Sequence, residues 1–258
     1  MTTPSRLVCW FSCGAASAVA TKIALQENAG RLPVVIGYTE IREEHPDNKR
    51  FLADCEKWFD HPITVLCNKQ YGGSIYEVFF RARYLVGPKG AACTRILKKE
   101  VRQSFERPDD RQVFGFTAEE QGRFDDFLDA NNIDCDAPLL RHGLGKQDCL
   151  GILAQAGIDI PAMYRLGYKN NNCIGCVKGG AGYWNKIRVD FPEVFEKMAQ
   201  VEEHLGRTIN VTRMGGTRKR ITLRELVPDA GRYEDEPDIS CGVVCQMSAD
   251  NIFLNDIA

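Results

Sequence analysis

Positions 7–11, Leu7-Val8-Cys9-Trp10-Phe11, form an unbroken apolar run of strand length, the pattern of a β-strand buried on both faces. The run breaks at Ser12-Cys13-Gly14-Ala15-Ala16-Ser17, and 18–26 then reads as a helix built mostly of good helix formers. The same alternation continues down the chain. Positions 33–38 read as a second buried strand, and 48–59 as a helix with Phe51, Leu52, Cys55 and Phe59 on one stripe. A third strand is expected at 63–66, a helix at 95–105 and a fourth strand at 112–116. Strands alternating with helices predict an α/β fold with a parallel sheet.

After Gly115 the pattern changes. A helix is expected at 146–156, followed by chain rich in Gly, Asn and Pro as far as Gly182. Positions 191–205 form an amphipathic helix, with Val194, Phe195, Met198, Val201 and Leu205 in register. The stretch 228–241 is acidic and rich in turn residues, and no internal repeat or low-complexity tract stands out. This predicts a sheet domain over 1–140 and a C-terminal part over 141–258 that wraps it.

The 258 residues carry 33 Lys and Arg against 35 Asp and Glu, a formal net charge of -2, so there is no global electrostatic footprint for nucleic acid. Two local basic clusters remain: Arg95 with Lys98 and Lys99, and Arg213 with Arg218-Lys219-Arg220. Such runs are first of all solvated faces; steering of a phosphate-rich substrate is the alternative. No apolar run approaches the roughly 20 residues of a membrane span. The N-terminal residues lack the basic and apolar blocks of a secretion signal, so a cytoplasmic protein with no membrane association is expected.

The 11 cysteines are the unusual number, and an odd count without a secretion signal argues against a disulfide framework. Cys9, Cys55, Cys67, Cys135 and Cys149 stand singly, as small packing residues do. Cys173 and Cys176 form a C-x2-C pair, and Cys241 and Cys245 a C-x3-C pair, spacings that suit metal or redox chemistry. A second candidate is the 12–17 loop. A strand that passes through small residues into a helix presents unpaired backbone N–H groups and the positive end of the helix dipole to an anion. Gly14, Ala15 and Ala16 leave the backbone open, and Ser12 and Ser17 add hydroxyls; a tight turn without ligand is the plain alternative. The Lys-Ser or Lys-Thr of a Walker loop is absent.

Ser12-Cys13-Gly14-Ala15-Ala16-Ser17 resembles the pyrophosphate-binding S-G-G-K-D-S loop of the adenine nucleotide α-hydrolase, or PP-loop ATP pyrophosphatase, superfamily. Ala15 and Ala16 replace its Lys and Asp, as in the PAPS reductase-like branch. Other segments follow in that family's order. Residues 39–47, Thr39 to Asp47, sit where the family carries D-T-G-x-x-x-P-E; Gly115 to Arg123 resembles G-x-R-x-x-Q/E-S-x-x-R. Pro138-Leu139 and Lys146-Gln147-Asp148 resemble the proline-led segment before the family's next helix. Pro161 to Tyr168 resembles P-x-x-L-Y-x-x-G-Y, with Cys173-Ile174-Gly175-Cys176 close behind. The resemblance spans about 7–185. It implies a Rossmann-like sheet of the α-hydrolase type with a cysteine-bearing C-terminal extension. It also implies an adenine nucleotide, ATP or a preformed APS or PAPS, held by Ser12, Cys13, Gly14, Ala15, Ala16, Ser17, Thr39, Glu120 and Arg123.

Cys93 precedes Cys173 by 80 residues, the interval at which the iron–sulfur APS reductases place a C-C pair before a C-x2-C. Here Ala92 stands at the other place of the pair. The resemblance therefore implies a [4Fe-4S] cluster on Cys93, Cys173 and Cys176, with the fourth iron ligated by Cys245 or Cys241, or left open to carry sulfur as in tRNA thiolation enzymes. Structural zinc on the same thiolates, or free thiols, are the alternatives. The reductases' E-C-G-L-H tail is not kept: Ser240-Cys241-Gly242-Val243-Val244-Cys245 shares only its Cys-Gly.

Three functions follow from the resemblance. The first is ATP-dependent adenylation and sulfur transfer to a nucleic acid, tRNA or DNA, with Mg²⁺ and Arg123, or Lys98 and Lys99, neutralising phosphate. The second is reduction of APS or PAPS to sulfite, with Cys241 as nucleophile. The third is a non-catalytic nucleotide-binding module with a structural metal. Arg123 is the expected catalytic cation, a surface pair with Asp125 or Asp126 being its alternative, and Glu120 would place Mg²⁺ or ribose. Tyr183 and Trp184 are expected to pack over the cluster, and His45 to be a loop residue. A sulfur-donor or reductant protein is the expected partner, and a homodimer the default assembly.

Overall fold

The computed structural model describes residues 3–87, 90–131, 133–214, 217–239 and 241. β1 (Arg6–Trp10) is buried along its whole length and leads into α1 (Ala15–Asn28). β2 (Val34–Thr39), α2 (Asn48–Phe59) and β3 (Ile63–Leu66) follow as two further strands and a helix. The chain then runs through α3 (Ile75–Ala82), the short ribbon of β4 (Val86–Gly87) and β5 (Gly90–Ala91), a π-helical segment (Thr94–Lys99) and α4 (Glu100–Phe105). It returns to the sheet as β6 (Asp110–Val113), and α5 (Gln121–Ala130) connects this to β7 (Asp134–Asp136). The five strands lie in the order β3-β2-β1-β6-β7, all parallel, with Cys9 in register with Ile36 on one side and Val113 on the other.

The C-terminal half adds α6 (Pro138–Arg141), α7 (Lys146–Gln155), α8 (Ala162–Arg165), α9 (Ala181–Asp190) and α10 (Pro192–Leu205). A separate antiparallel ribbon, β8 (Asn210–Met214) and β9 (Thr217–Ile221), follows. One apolar core packs α1, α2 and α7 on the sheet around Cys9, Phe11 and Phe51. The other face buries Val8, Trp10, Phe114 and Phe127. A third core joins residues 75–97 to 163–226 through Phe79, Leu97, Trp184 and Met198. Among the described residues no helix is long and apolar enough to cross a membrane.

The α/β architecture with a parallel sheet matches the sequence reading. Helix 48–59 and strand 63–66 fall where the pattern puts them. The fourth strand is shifted to Asp110–Val113, because the apolar Phe114 and Phe116 that follow belong to the core beside the sheet's end. The single helix expected at 95–105 divides, with a wider π turn ahead of α4. The edge strand β7 and helix α5 carry too few apolar residues to signal themselves: α5 buries only Phe127.

Candidate functional site

In this sheet the connections reverse direction between β1 and β6, and the carboxyl ends of those strands flank the crevice where open α/β sheets place ligands. The 12–17 loop leaves β1 there. Cys13 adopts φ +60°, which turns the backbone sharply, and its side chain is buried with Sγ 3.5 Å from the Asn48 carbonyl oxygen. Only the backbone of Cys13 is therefore available at the loop surface. The Ser17 hydroxyl accepts from the Ser12 N–H and Oγ, both at 3.1 Å, and donates to the Gly14 carbonyl at 3.0 Å. Gly115, just past β6, lies against this turn: a Cβ there would stand 2.7 Å from Ser17 Cα and 2.8 Å from its N. Glycine is what lets helix α1 start this close to the neighbouring strand.

The loop is tied to the C-x2-C segment. The Asn171 side-chain amide donates to the Cys13 carbonyl at 2.7 Å and to Asn48 Oδ1 at 2.9 Å. The Tyr164 hydroxyl is held near the backbone of Ala15 and Asn171. Asp47 accepts from the Ala162 N–H at 2.8 Å and pairs with Arg50 and Arg165, which fastens α8 to the start of α2. The Arg50 hydrogen bonds, chiefly, hold the Asp47 carboxyl down at about 2.

Beside the loop, Ser12, Thr39, Glu44 and Lys98 line a pocket whose apolar wall includes Trp10 and Phe11. Thr39 is buried, and its Oγ1 has no hydrogen-bond partner among the described residues. Glu44 is buried too, accepting from Tyr38 Oη at 2.7 Å and Asn48 Nδ2 at 3.0 Å, with Lys98 Nζ 3.5 Å from its other oxygen. Burial pushes the Glu44 carboxyl up, and Lys98, Tyr38 and Asn48 counter it. Burial also opposes the charge on Lys98, but Cys241, Glu44, Cys173 and Cys93 outweigh it, so the ammonium is held above its ordinary value. Lys98 thus lines the pocket and interacts electrostatically with the thiols.

Those thiols are Cys93, Cys173, Cys176 and Cys241, each of which acts electrostatically on the others. Cys173 and Cys176 are buried, and Cys93 and Cys241 partly so. Thr94 Oγ1 lies 3.6 Å from Cys241 Sγ. The hydrogen bond between Cys176 and Cys241 holds the Cys241 thiol well below its ordinary value; burial opposes this, and Lys98, Lys178 and Thr94 add to it. The same bond, with burial, pushes Cys176 up, while burial followed by repulsion from Cys241 pushes Cys93 to about 12. The stretch before Cys241 has no basic residue, yet lysines from elsewhere in the fold supply the charge that lowers it.

The turn that presents Cys173 and Cys176 is built for its shape. Gly175 has φ +75°, and a Cβ on it would come 2.7 Å from Val194 Cγ1 and 3.3 Å from the Trp184 ring. The Tyr183 hydroxyl accepts from the Cys176 N–H at 2.9 Å and donates to the Cys173 carbonyl at 3.3 Å. Tyr183 and Trp184 therefore support this loop by packing. The 232–241 strap that carries Cys241 is held in turn by Glu236, whose carboxylate accepts from the Gly180, Gly182 and Tyr183 N–H groups at the start of α9.

Neighbouring thiols repel one another when ionised, and a bound metal removes that conflict; by donor chemistry alone the four suit a thiolate-liganded iron–sulfur cluster or zinc. Among the described residues no group of three or more His, Cys, Asp or Glu side chains stands in an arrangement that could hold a metal ion. Cys245 lies outside the described residues.

Glu120 and Arg123, the expected Mg²⁺- or ribose-placing group and catalytic cation, pair with each other in the turn after β6. One Glu120 oxygen accepts from the Thr117 N–H and Oγ1, at 3.1 and 3.2 Å, closing the turn after β6. The other pairs with Arg123, whose guanidinium lies 5.6 Å from the centre of the Phe116 ring. His45 is a loop residue whose Nδ1 accepts from the Asp47 N–H. Asn171 and Glu44 were not singled out by sequence reading. The Asn170-Asn171-Asn172 run ahead of Cys173 is a visible signal for the first; a buried Glu among the charges of 40–47 has none.

No known family model matches the chain, and no curated protein matches it significantly.

Proposed function

We propose that this chain is a PAPS reductase-like enzyme of the adenine nucleotide α-hydrolase superfamily, which binds ATP on the 12–17 loop and transfers sulfur to a nucleic acid. The observation that carries this reading is the position of Lys98, which interacts with Glu44 of the loop-side pocket and with Cys241, Cys173 and Cys93. A nucleotide site and a thiol group that share one buried cation belong to one reaction. Thr39 Oγ1, buried without a partner, is a hydrogen-bonding group awaiting a ligand in that pocket.

In this mechanism the loop backbone and the Ser12 and Ser17 hydroxyls hold the phosphates at the start of α1. With Mg²⁺ and the nearby Lys98 neutralising charge, an oxygen of the acceptor attacks the α-phosphorus of ATP and pyrophosphate leaves. The acceptor oxygen is now bonded to AMP, a good leaving group. A hydrosulfide sulfur displaces it, so the oxygen departs with AMP and a carbon–sulfur or phosphorus–sulfur bond replaces the bond to oxygen. Cys93, Cys173, Cys176 and Cys241 are the residues that would hold a [4Fe-4S] cluster, which when bound would supply redox chemistry beside the pocket, with all four irons ligated and the sulfur arriving as free hydrosulfide. Cys245 is then dispensable for metal binding. Lys98 positions the two halves relative to each other.

One observation favours a second reading. Cys241 is lowered by its hydrogen bond with Cys176 and by two lysines, the state a nucleophile needs to attack the sulfur of APS or PAPS, displacing AMP or PAP and leaving an S-sulfonate that a thiol reductant then cleaves to sulfite.

The test is an anaerobic assay of the full chain with α-labelled ATP, Mg²⁺, hydrosulfide and either duplex DNA or bulk tRNA. The proposal expects AMP and pyrophosphate together with sulfur in the acceptor, all lost in Ser17→Ala. Sulfite from APS or PAPS with a thiol reductant, and no AMP from ATP, would establish the second reading. Nucleotide binding without turnover of either substrate would leave a binding module with a structural metal.

A further inference from the structure

The ribbon of β8 and β9 stands outside the central sheet and is unusually charged. From 207 to 221 the chain carries Arg207, Arg213, Arg218, Lys219 and Arg220 and no acidic residue, in a protein whose net charge is -2. The register sets Arg213 directly opposite Arg218, Thr212 opposite Lys219 and Val211 opposite Arg220. Like charges at directly paired positions weaken a ribbon, and an isolated two-stranded ribbon is marginal to begin with. Stability therefore does not account for this composition. Arg207, Lys219 and Arg220 are exposed; Lys219 has Glu225 in its neighbourhood, and Arg220 reaches the Thr208 carbonyl at 3.4 Å.

The ribbon also neighbours the segment that leads to Cys93. Arg220 acts electrostatically on Tyr84, whose hydroxyl donates to the Gly90 carbonyl of β5 at 3.3 Å, and the chain reaches Cys93 three residues later. The exposed Arg83 precedes Tyr84. Exposed Phe80, edge-on to the His204 ring at 5.3 Å between centroids, lies four residues before Tyr84 at the end of α3. A polyanion bound along the ribbon would pass close to the segment that carries Cys93.

We infer that the β8–β9 ribbon is the docking element for the nucleic-acid substrate and that this substrate is duplex DNA, an inference that rests on the sulfur-transfer reading above. Two strands about 4.8 Å apart, each about 17 Å long, form a ribbon that the roughly 12 Å major groove of B-form DNA admits. The major groove of A-form RNA is too narrow and deep for it. Lys219, Arg220, Arg207 and Arg83 contact phosphates, and the binding energy is mostly counterion release.

The experiment is fluorescence anisotropy with the full chain, purified anaerobically, on a labelled duplex of about two helical turns and on a stem–loop RNA of equal length, each over a range of salt. The expected result is tighter binding to the duplex. Lys219→Ala with Arg220→Ala weakens it about tenfold or more and lowers the slope of log affinity against log salt by about 2. Single Lys219→Gln and Arg220→Gln variants each lower the slope by about 1, and they carry the test if the double variant does not fold. Unchanged affinity and slope in these variants, tighter binding to the RNA, or no binding to the duplex overturns the inference. ATP affinity, measured calorimetrically on the same samples, separates the two claims. Ribbon-dependent duplex binding without ATP binding would remove the enzyme reading and keep the ribbon; ATP turnover with ribbon-independent DNA binding would do the reverse.

Discussion

Lys98 Nζ lies 3.5 Å from Glu44 Oε1, and both side chains are buried, at 9% and 4% exposure. The same ammonium interacts electrostatically with Cys241, Cys173 and Cys93. This pair joins the end of β2 to the segment after Cys93, and so fixes the nucleotide-side pocket relative to the thiols. A buried pair gains little over an apolar replacement of both partners, but removing one partner leaves an uncompensated charge.

Lys98→Met is therefore expected to cost about 3 kcal/mol of stability in urea unfolding, and Lys98→Met combined with Glu44→Gln to recover most of that. Equal stability of Lys98→Met and wild type would mean that Glu44 is already neutral and that the pair does not hold the two halves together.

Gly115→Ala places a methyl 2.7 Å from Ser17 Cα, against backbone that has no freedom to move aside. The start of α1 must shift, at a cost of about 1–3 kcal/mol. Because Ser17 organises Ser12 and Gly14 through its hydroxyl, ATP affinity should fall at least about tenfold while the thiol group stays intact. Calorimetric titration of ATP into this variant checks the expectation; unchanged affinity would disconnect Gly115 and the loop from the nucleotide.

How far this could be read from the chain differs between the two halves of the site. The continuous apolar run 7–11 and the small-residue break after it announce a buried strand and an anion-binding turn, because both are local backbone demands. The C-x2-C turn is equally legible, its Gly175 at φ +75° being forced by the tight loop. The grouping of Cys241 with Cys93, Cys173 and Cys176 is open only as one of two choices with Cys245, since it depends on how Glu236, ahead of Cys241, is clamped onto α9. Arg123, expected from its motif position as a charge-neutralising cation or a surface ion pair, pairs with Glu120 three residues earlier, a partner that the motif spacing does not announce. The ribbon's charges were visible as a cluster, but only the pairing of Arg213 with Arg218 shows that they share one antiparallel element.

Asp47 predicts a pH effect. Its carboxyl is held at about 2 by Arg50, against about 3.9 in an unfolded chain. A depressed folded-state value contributes stability that is fully present above the unfolded value and is lost as pH falls from about 4 through about 2. Asp47→Asn should thus be destabilised by about 2 kcal/mol at pH 7, with the gap to wild type closing below about pH 3. Parallel thermal unfolding curves between pH 2 and 7 would reveal this; a gap independent of pH would assign the loss to packing of α8 alone.

The most direct test of the account is the iron and acid-labile sulfide content of the anaerobically purified chain, compared between wild type, Cys241→Ala and Cys245→Ala. The account predicts about four irons and four sulfides per chain in wild type and in Cys245→Ala, and loss of both in Cys241→Ala. About one zinc per chain without sulfide, or a cluster that survives in Cys241→Ala and disappears in Cys245→Ala, would contradict it.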